Sequence, residues 1–216
     1  MPNVLVITLI DDPSNFNNLE APILPRLIQR AAVHKSRTVE DAMDYISNDW
    51  PNVILVQSAF ILTDNLSNKS LLTALINRTR NGCTTIFMGL FTLVSSQSDF
   101  KVMETLFMDG FGLQWQPMGY EDAHTDLVIH DANMLRTTNL APTVQAEACF
   151  LGEVPKEEIV YRARTPRSNG PIAIARVGSG KVGYIGDLEL DGEADRTILA
   201  MCGLDRSEDA PGQAGN

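Results

Sequence analysis

Three short stretches of the chain are apolar almost throughout rather than at alternate positions: VLVITLI (4–10), NVILVQ (52–57) and TTIFMG (84–89). A strand with one wet face alternates apolar and polar residues. A strand covered on both faces has no need to, and such runs belong to a parallel sheet packed between helices. The segments between them carry helical spacing. LPRLIQRAAVHK (24–35) reads as a helix with Pro near its start. TVEDAMDYISND (38–49) reads as a second helix, opened by Thr38 as N-cap with Asp41 three residues on. Residues 66–80 form an amphipathic pattern with Leu71, Leu72, Leu75 and Ile76 on the inner face, stopped at Asn81-Gly82. The order β-α-β-α-β, with connections long enough for right-handed crossovers, predicts a doubly wound, mostly parallel sheet flanked by helices, of the flavodoxin-like kind.

The second half has a different texture. Ser98-Asp99 is expected to cap a helix whose apolar positions are Phe100, Val102, Met103, Leu106 and Phe107, and FGLQWQPMGYED (111–122) reads as a loop. Five strand-like segments follow at 124–130, 144–151, 157–163, 171–177 and 181–187, with few helical patterns between them. ARVGSGKVGYIG predicts an antiparallel hairpin turning at Gly178-Ser179-Gly180. GEADRTILAMCG (192–203) is the last helix. No long linker or repeat interrupts the chain, so residues 1–206 are expected to form one domain and 207–216 a frayed polar tail.

The 216 residues are 44% hydrophobic and 20% charged, ordinary for a globular protein that needs no staples. A net charge of -10 disfavours a phosphate backbone or an anionic membrane as partner. Cys83, Cys149 and Cys202 are too far apart in sequence for a CxxC metal pattern and odd in number, which argues against a disulfide framework. The first apolar run is too short to span a bilayer and lacks a basic flank, so the expected location is the cytosol. The expected partner is a small molecule, with no cofactor. The aromatic and apolar residues of FGLQWQPM hint at a homodimer contact.

Candidate chemistry gathers at strand ends. In open parallel sheets, ligands bind outside the carboxyl ends of the strands, where the winding reverses. Those positions hold Asp11 and Asp12 after the first run, Ser58 after the second, and Leu90, Phe91 and Thr92 after the third; Asp187 and Glu189 follow the late run GYIGD. Clustered carboxylates can shift one another's pKa and so supply an acid and a base. Each of these Asp residues also suits a cap or turn. His124, Asp126 and His130 alternate along HTDLVIHD, a pattern that could hold a metal, but the histidines are roughly 20 Å apart on an extended strand. A solvated face is favoured there, with His124 kept as a candidate acid or base. GSGK lacks the preceding Gly and the following Ser or Thr of a phosphate loop and reads as a hairpin turn.

VLVITLIDD, VILVQS, TTIFMGLFT and the late GKVGYIGDLELDGEADRTILAMCGL together resemble the class I glutamine amidotransferase-like superfamily, nearest its trehalose-utilisation (ThuA-like) branch and related fungal proteins. The resemblance covers most of residues 3–205 and rests on element order and two turns. It implies that a nucleophilic Cys should stand in the turn after the third run, and a His at the end of the late strand. Here the turn reads Gly89-Leu90-Phe91-Thr92-Leu93, with Phe91 or a neighbour where Cys would be, and Asp187 stands roughly where His would be. Glutamine hydrolysis by the family mechanism is therefore not expected. The expected function is an enzyme using non-covalent acid–base chemistry on a small molecule (isomerase, lyase, cyclase or hydrolase type), with Asp187, Glu189 and His124 as catalytic candidates and Asp11, Asp12, Ser58, Leu90, Phe91 and Thr92 around the substrate; the alternative is a non-catalytic ligand-binding or protein-interaction module.

Overall fold

The computed structural model describes residues 1–9, 23–93, 96–164, 169–186 and 192–209. In chain order the elements are β1 (Asn3–Ile7), α1 (Leu24–Ile28), β2 (Ala32–Ser36), α2 (Val39–Asn48), β3 (Val53–Val56), a 3-10 turn (Ala59–Leu62), α3 (Leu66–Arg80), β4 (Thr84–Met88) and a second 3-10 turn (Gly89–Thr92). There follow α4 (Gln97–Thr105), a π-helical turn (Leu106–Phe111), β5 (Gln116–Leu127), β6 (Thr143–Gly152), β7 (Ile159–Ala163), β8 (Ile172–Val177), β9 (Gly180–Ile185), α5 (Gly192–Met201) and a last 3-10 turn (Ser207–Asp209).

The nine strands make one mixed sheet in the order β2-β1-β3-β4-β9-β8-β7-β5-β6. The pairs from β2 to β9 are parallel and those from β9 to β6 antiparallel. The expected α/β class is thus observed, with antiparallel strands in the C-terminal half. The three apolar runs are β1, β3 and β4, and β3 is buried at every position. Both sheet faces are covered. One face carries a cluster around Leu5, Ile54, Leu75, Phe87, Phe107 and Trp115, the other a cluster around Val6, Leu55, Ile86, Ile174 and Ile198.

Local signals hold where the caps are strong. Thr38 Oγ1 accepts from Asp41 N at 3.2 Å, and α3 spans the expected 66–80. At α4 the cap is Ser96 rather than Ser98, in a capping box with Asp99. Helical spacing misleads over 24–35. Only Leu24–Ile28 is α-helical, and Ala32–Ser36 forms an edge strand parallel to β1, because pairing along that edge outweighs local propensity. This strand sets the topology: β2 lies outside β1 and β3 inside it, so the winding reverses between β1 and β3. Of the segment 111–122 only residues 112–115 are irregular, and even these are not an exposed loop. Phe111, Leu113 and Trp115 alternate inward to the core and β5 begins at Gln116. The aromatic residues behind the expected dimer contact therefore pack inside their own chain.

The antiparallel half curls back on the sheet. Cys149 N donates to Gly186 O at 3.0 Å and Leu151 N to Gly170 O at 3.0 Å, tying the end of β6 to the ends of β9 and β8. Residues 207–209, expected in the frayed tail, dock instead. Arg30 donates to Asp209 from Nη1 (2.6 Å) and Nη2 (2.9 Å), and Asp209 is 5% exposed.

Candidate functional site

β4 delivers the chain to the turn where the resemblance to amidotransferase-like proteins would put a nucleophile. The residue that takes the left-handed backbone there is Gly89, at φ 58°. A strand-to-helix elbow presents its nucleophile from that kind of strained position, and glycine has no side chain to present. Phe91, two residues on, turns into the core, fully buried, with its ring 4.6 Å from that of Phe87. Leu90 is half-buried. Thr92 is fully buried, and its hydroxyl donates to Gly89 O at 2.8 Å, with Gly186 O a further 3.4 Å contact.

Two tyrosines that sequence reasoning did not single out complete this junction. Tyr120, on β5, donates its hydroxyl to Thr92 O. Tyr184, on β9, donates to Cys149 O at 3.0 Å, and its complete burial holds the phenol well above its usual range. Gly186 is where the backbones meet: a Cβ there would lie 2.0 Å from Cys149 O. Nothing local in the sequence marks these residues, since their roles come from the curl of β5 and β6 over the ends of β4 and β9.

At the β1/β3 switch point, Ser58 Oγ donates to Leu9 O at 2.7 Å and accepts from Phe60 N at 3.2 Å, while Thr8 Oγ1 donates to Gln57 Oε1 at 3.1 Å. Ser58 thus ties two strand ends and caps a turn. Asp11, Asp12, Asp187 and Glu189 lie outside the described residues. His124 is exposed on β5, four residues beyond Tyr120, which puts it about 13 Å along the strand from the junction. Its neighbours are committed elsewhere: Arg164 pairs with Asp126 at 2.6 Å, and His130 Nε2 lies 2.7 Å from Ile159 O. Among the described residues no group of three or more His, Cys, Asp or Glu side chains could hold a metal ion. Nor is either core cysteine poised as a thiolate. Burial pushes Cys83 up to about 12 and raises Cys149. The GSGK segment is the expected hairpin turn, joining antiparallel β8 and β9 with Gly178 at φ 60°.

What does open at these strand ends is an apolar groove of about 300 Å³, lined by Ala59, Phe60, Leu62 and Thr63 after β3, Leu93 after β4, and Asp99 and Val102 of α4. Leu93 and Val102 are 55% and 42% exposed. The wall after β3 is pinned from beneath by Asn68, 1% exposed, whose Nδ2 donates to Phe60 O at 2.7 Å and Thr63 Oγ1 at 2.6 Å. Asn68 Oδ1 is buried without a hydrogen-bond partner, a cost of about 1–3 kcal/mol.

No family model and no curated protein matches the sequence. Solved structures do match the fold. A putative ThuA-like protein from Bacteroides uniformis ATCC 8492 superposes at TM-score 0.60 with 10% identity, over 93% of this chain and 89% of that one. A cytoplasmic protein from Salmonella typhimurium LT2 gives 0.58 and 11%, over 94% and 96%. A β-galactosidase from Bacillus circulans sp. alkalophilus gives 0.59 and 9%, where 93% of this chain spans only 30% of that enzyme. At such identities the likeness is one of fold, and the expected relation to ThuA-like proteins stands at that level. No described helix is long and apolar enough to cross a membrane.

Proposed function

We propose that this chain is a ligand-binding module on a degenerate amidotransferase-like scaffold, with the groove at the carboxyl ends of β3 and β4 as its binding site. One observation carries the reading. At the turn that would bear a nucleophile the left-handed residue is Gly89, the nearby hydroxyls of Thr92 and Ser58 serve the backbone, and two large apolar side chains stand exposed in a groove alongside. Binding sites are concave and mainly apolar with a few polar groups, and this groove has that composition. Likeness to a ThuA-like protein supports the scaffold part of the reading and says nothing of the ligand.

A second reading keeps an enzyme with Asp187 and Glu189 as acid and base. It is favoured by the position of Gly186, whose carbonyl lies 3.4 Å from Thr92 Oγ1, so the chain leaves β9 beside the β4 turn just before Asp187. On that reading the substrate would occupy the same crevice. A thermal-shift screen of small apolar molecules separates the two, run on the wild type, on Val102→Trp, which fills the groove, and on Asp187→Asn. Hits erased by Val102→Trp, retained in Asp187→Asn and recovered chemically unchanged support the binding module. Turnover of a hit, abolished by Asp187→Asn with its melting temperature kept, supports the enzyme.

A further inference from the structure

We infer that the groove takes an amphiphilic cation: an aryl or alkyl body against Phe60, Leu62, Leu93 and Val102, with a protonated amine at Asp99. The inference rests on the reading of the groove as a binding site and adds the ligand's chemical class. Among the described residues of the lining, Asp99 alone is ionisable. It lies in the first turn of α4, where the helix dipole keeps the carboxylate ionised but offsets part of its charge, so the expected cation preference is modest. Its own hydrogen bonding is slight: Oδ2 accepts from Ser96 N at a long 3.4 Å. No cation of the described residues pairs with it. The nearest basic residue in sequence, Lys101, is turned to Glu104 at 2.9 Å. A half-buried carboxylate at the edge of an apolar wall, in a protein of net charge -10, complements a cation and repels anions of the same shape. At about 300 Å³ the groove is at the small end of ligand sites, which suits a monoamine better than a long chain or a nucleotide.

The test compares two probes of nearly equal size and apolar area, phenethylamine (an ammonium ion at pH 7) and 2-phenylethanol, by NMR titration of the full chain. The ammonium should bind about fivefold tighter or better, as expected for one partly exposed ion pair. Asp99→Asn, which keeps an acceptor for the capping box, should cut that preference below twofold. Ser96→Ala, which weakens the box but keeps the carboxylate, should leave it intact. Equal affinity for the two probes, with shifts at Phe60, Leu93 and Val102, would overturn the cationic preference and leave the groove a binding site. A preference that survives Asp99→Asn would likewise overturn the assignment to Asp99. No shifts at the groove with either probe would overturn this inference and count against the site itself.

Discussion

Replacing Gly186 with Ala tests the close packing of the junction at the ends of β4, β6 and β9. The added methyl would lie 2.0 Å from Cys149 O and 3.1 Å from Tyr184 Cε1. The first contact is with backbone, so relief requires β6 and β9 to part. Four interactions meet there: Cys149 N to Gly186 O (3.0 Å), Gly186 N to Pro171 O (2.8 Å), Tyr184 Oη to Cys149 O (3.0 Å) and Thr92 Oγ1 to Gly186 O (3.4 Å). Losing two of them at about 1 kcal/mol each, with overpacking of about 1–3 kcal/mol, gives a loss of about 3–5 kcal/mol. For a domain of this size that is roughly 10 °C in melting temperature. Calorimetry or circular dichroism would read it, with Gly192→Ala as control, since no described residue lies within 4 Å of a Cβ there. A drop below about 3 °C would refute the close approach on which the site's geometry depends.

Breaking the Arg30–Asp209 pair by Arg30→Leu should destabilise by about 3–5 kcal/mol in chemical denaturation, because it strands a buried carboxylate. Hydrogen bonding from Arg30 holds Asp209 below its usual range, so this contribution is full above about pH 4 and fades as pH falls through the lowered folded value. Glu158 behaves oppositely. Burial raises its carboxyl despite the 2.8 Å bond from Trp115 Nε1, so its ionisation costs stability as pH rises through the folded value. Glu158→Gln should therefore melt higher than wild type at pH 7 and converge with it near pH 4. The Cys83 thiol, pushed up to about 12, should resist a thiol-reactive dye until the chain unfolds; rapid native labelling would contradict its burial. Asn68→Ala should loosen the wall formed by Phe60 and Thr63 and weaken groove ligands at least severalfold, beyond what its lower stability explains.

Much of the fold is legible in the sequence because two kinds of signal are local and strong. Continuous apolar runs mark β1, β3 and β4, and side-chain caps such as Thr38 fix helix starts. Ala32–Ser36 escapes notice because an exposed edge strand need show no apolar pattern; only its pairing with β1 makes it a strand. Trp115 looks like a loop aromatic until Phe111 and Leu113 are seen to alternate with it into the core. The candidate site is less legible. A turn does follow β4 as the run TTIFMG suggests, but that Phe91 packs into the core and Thr92 bonds to carbonyls depends on contacts remote in sequence. Tyr120 and Tyr184 reach the junction only through long-range strand order. Leu93 and Val102, which give the groove its character, look in sequence like ordinary members of an apolar run and a helix face.

The most direct test of the groove as the binding site is a crystal structure, or an NMR-restrained one, of the chain with any small-molecule hit from the thermal-shift screen. The ligand's apolar body should lie between the 59–63 turn and Val102, in contact with Leu93, with Asp99 beside its polar end and the hydroxyls of Ser58 and Thr92 still bonded to the backbone. A ligand seated away from this groove, or one that draws Thr92 off Gly89 to reach it, would contradict the groove as the binding site.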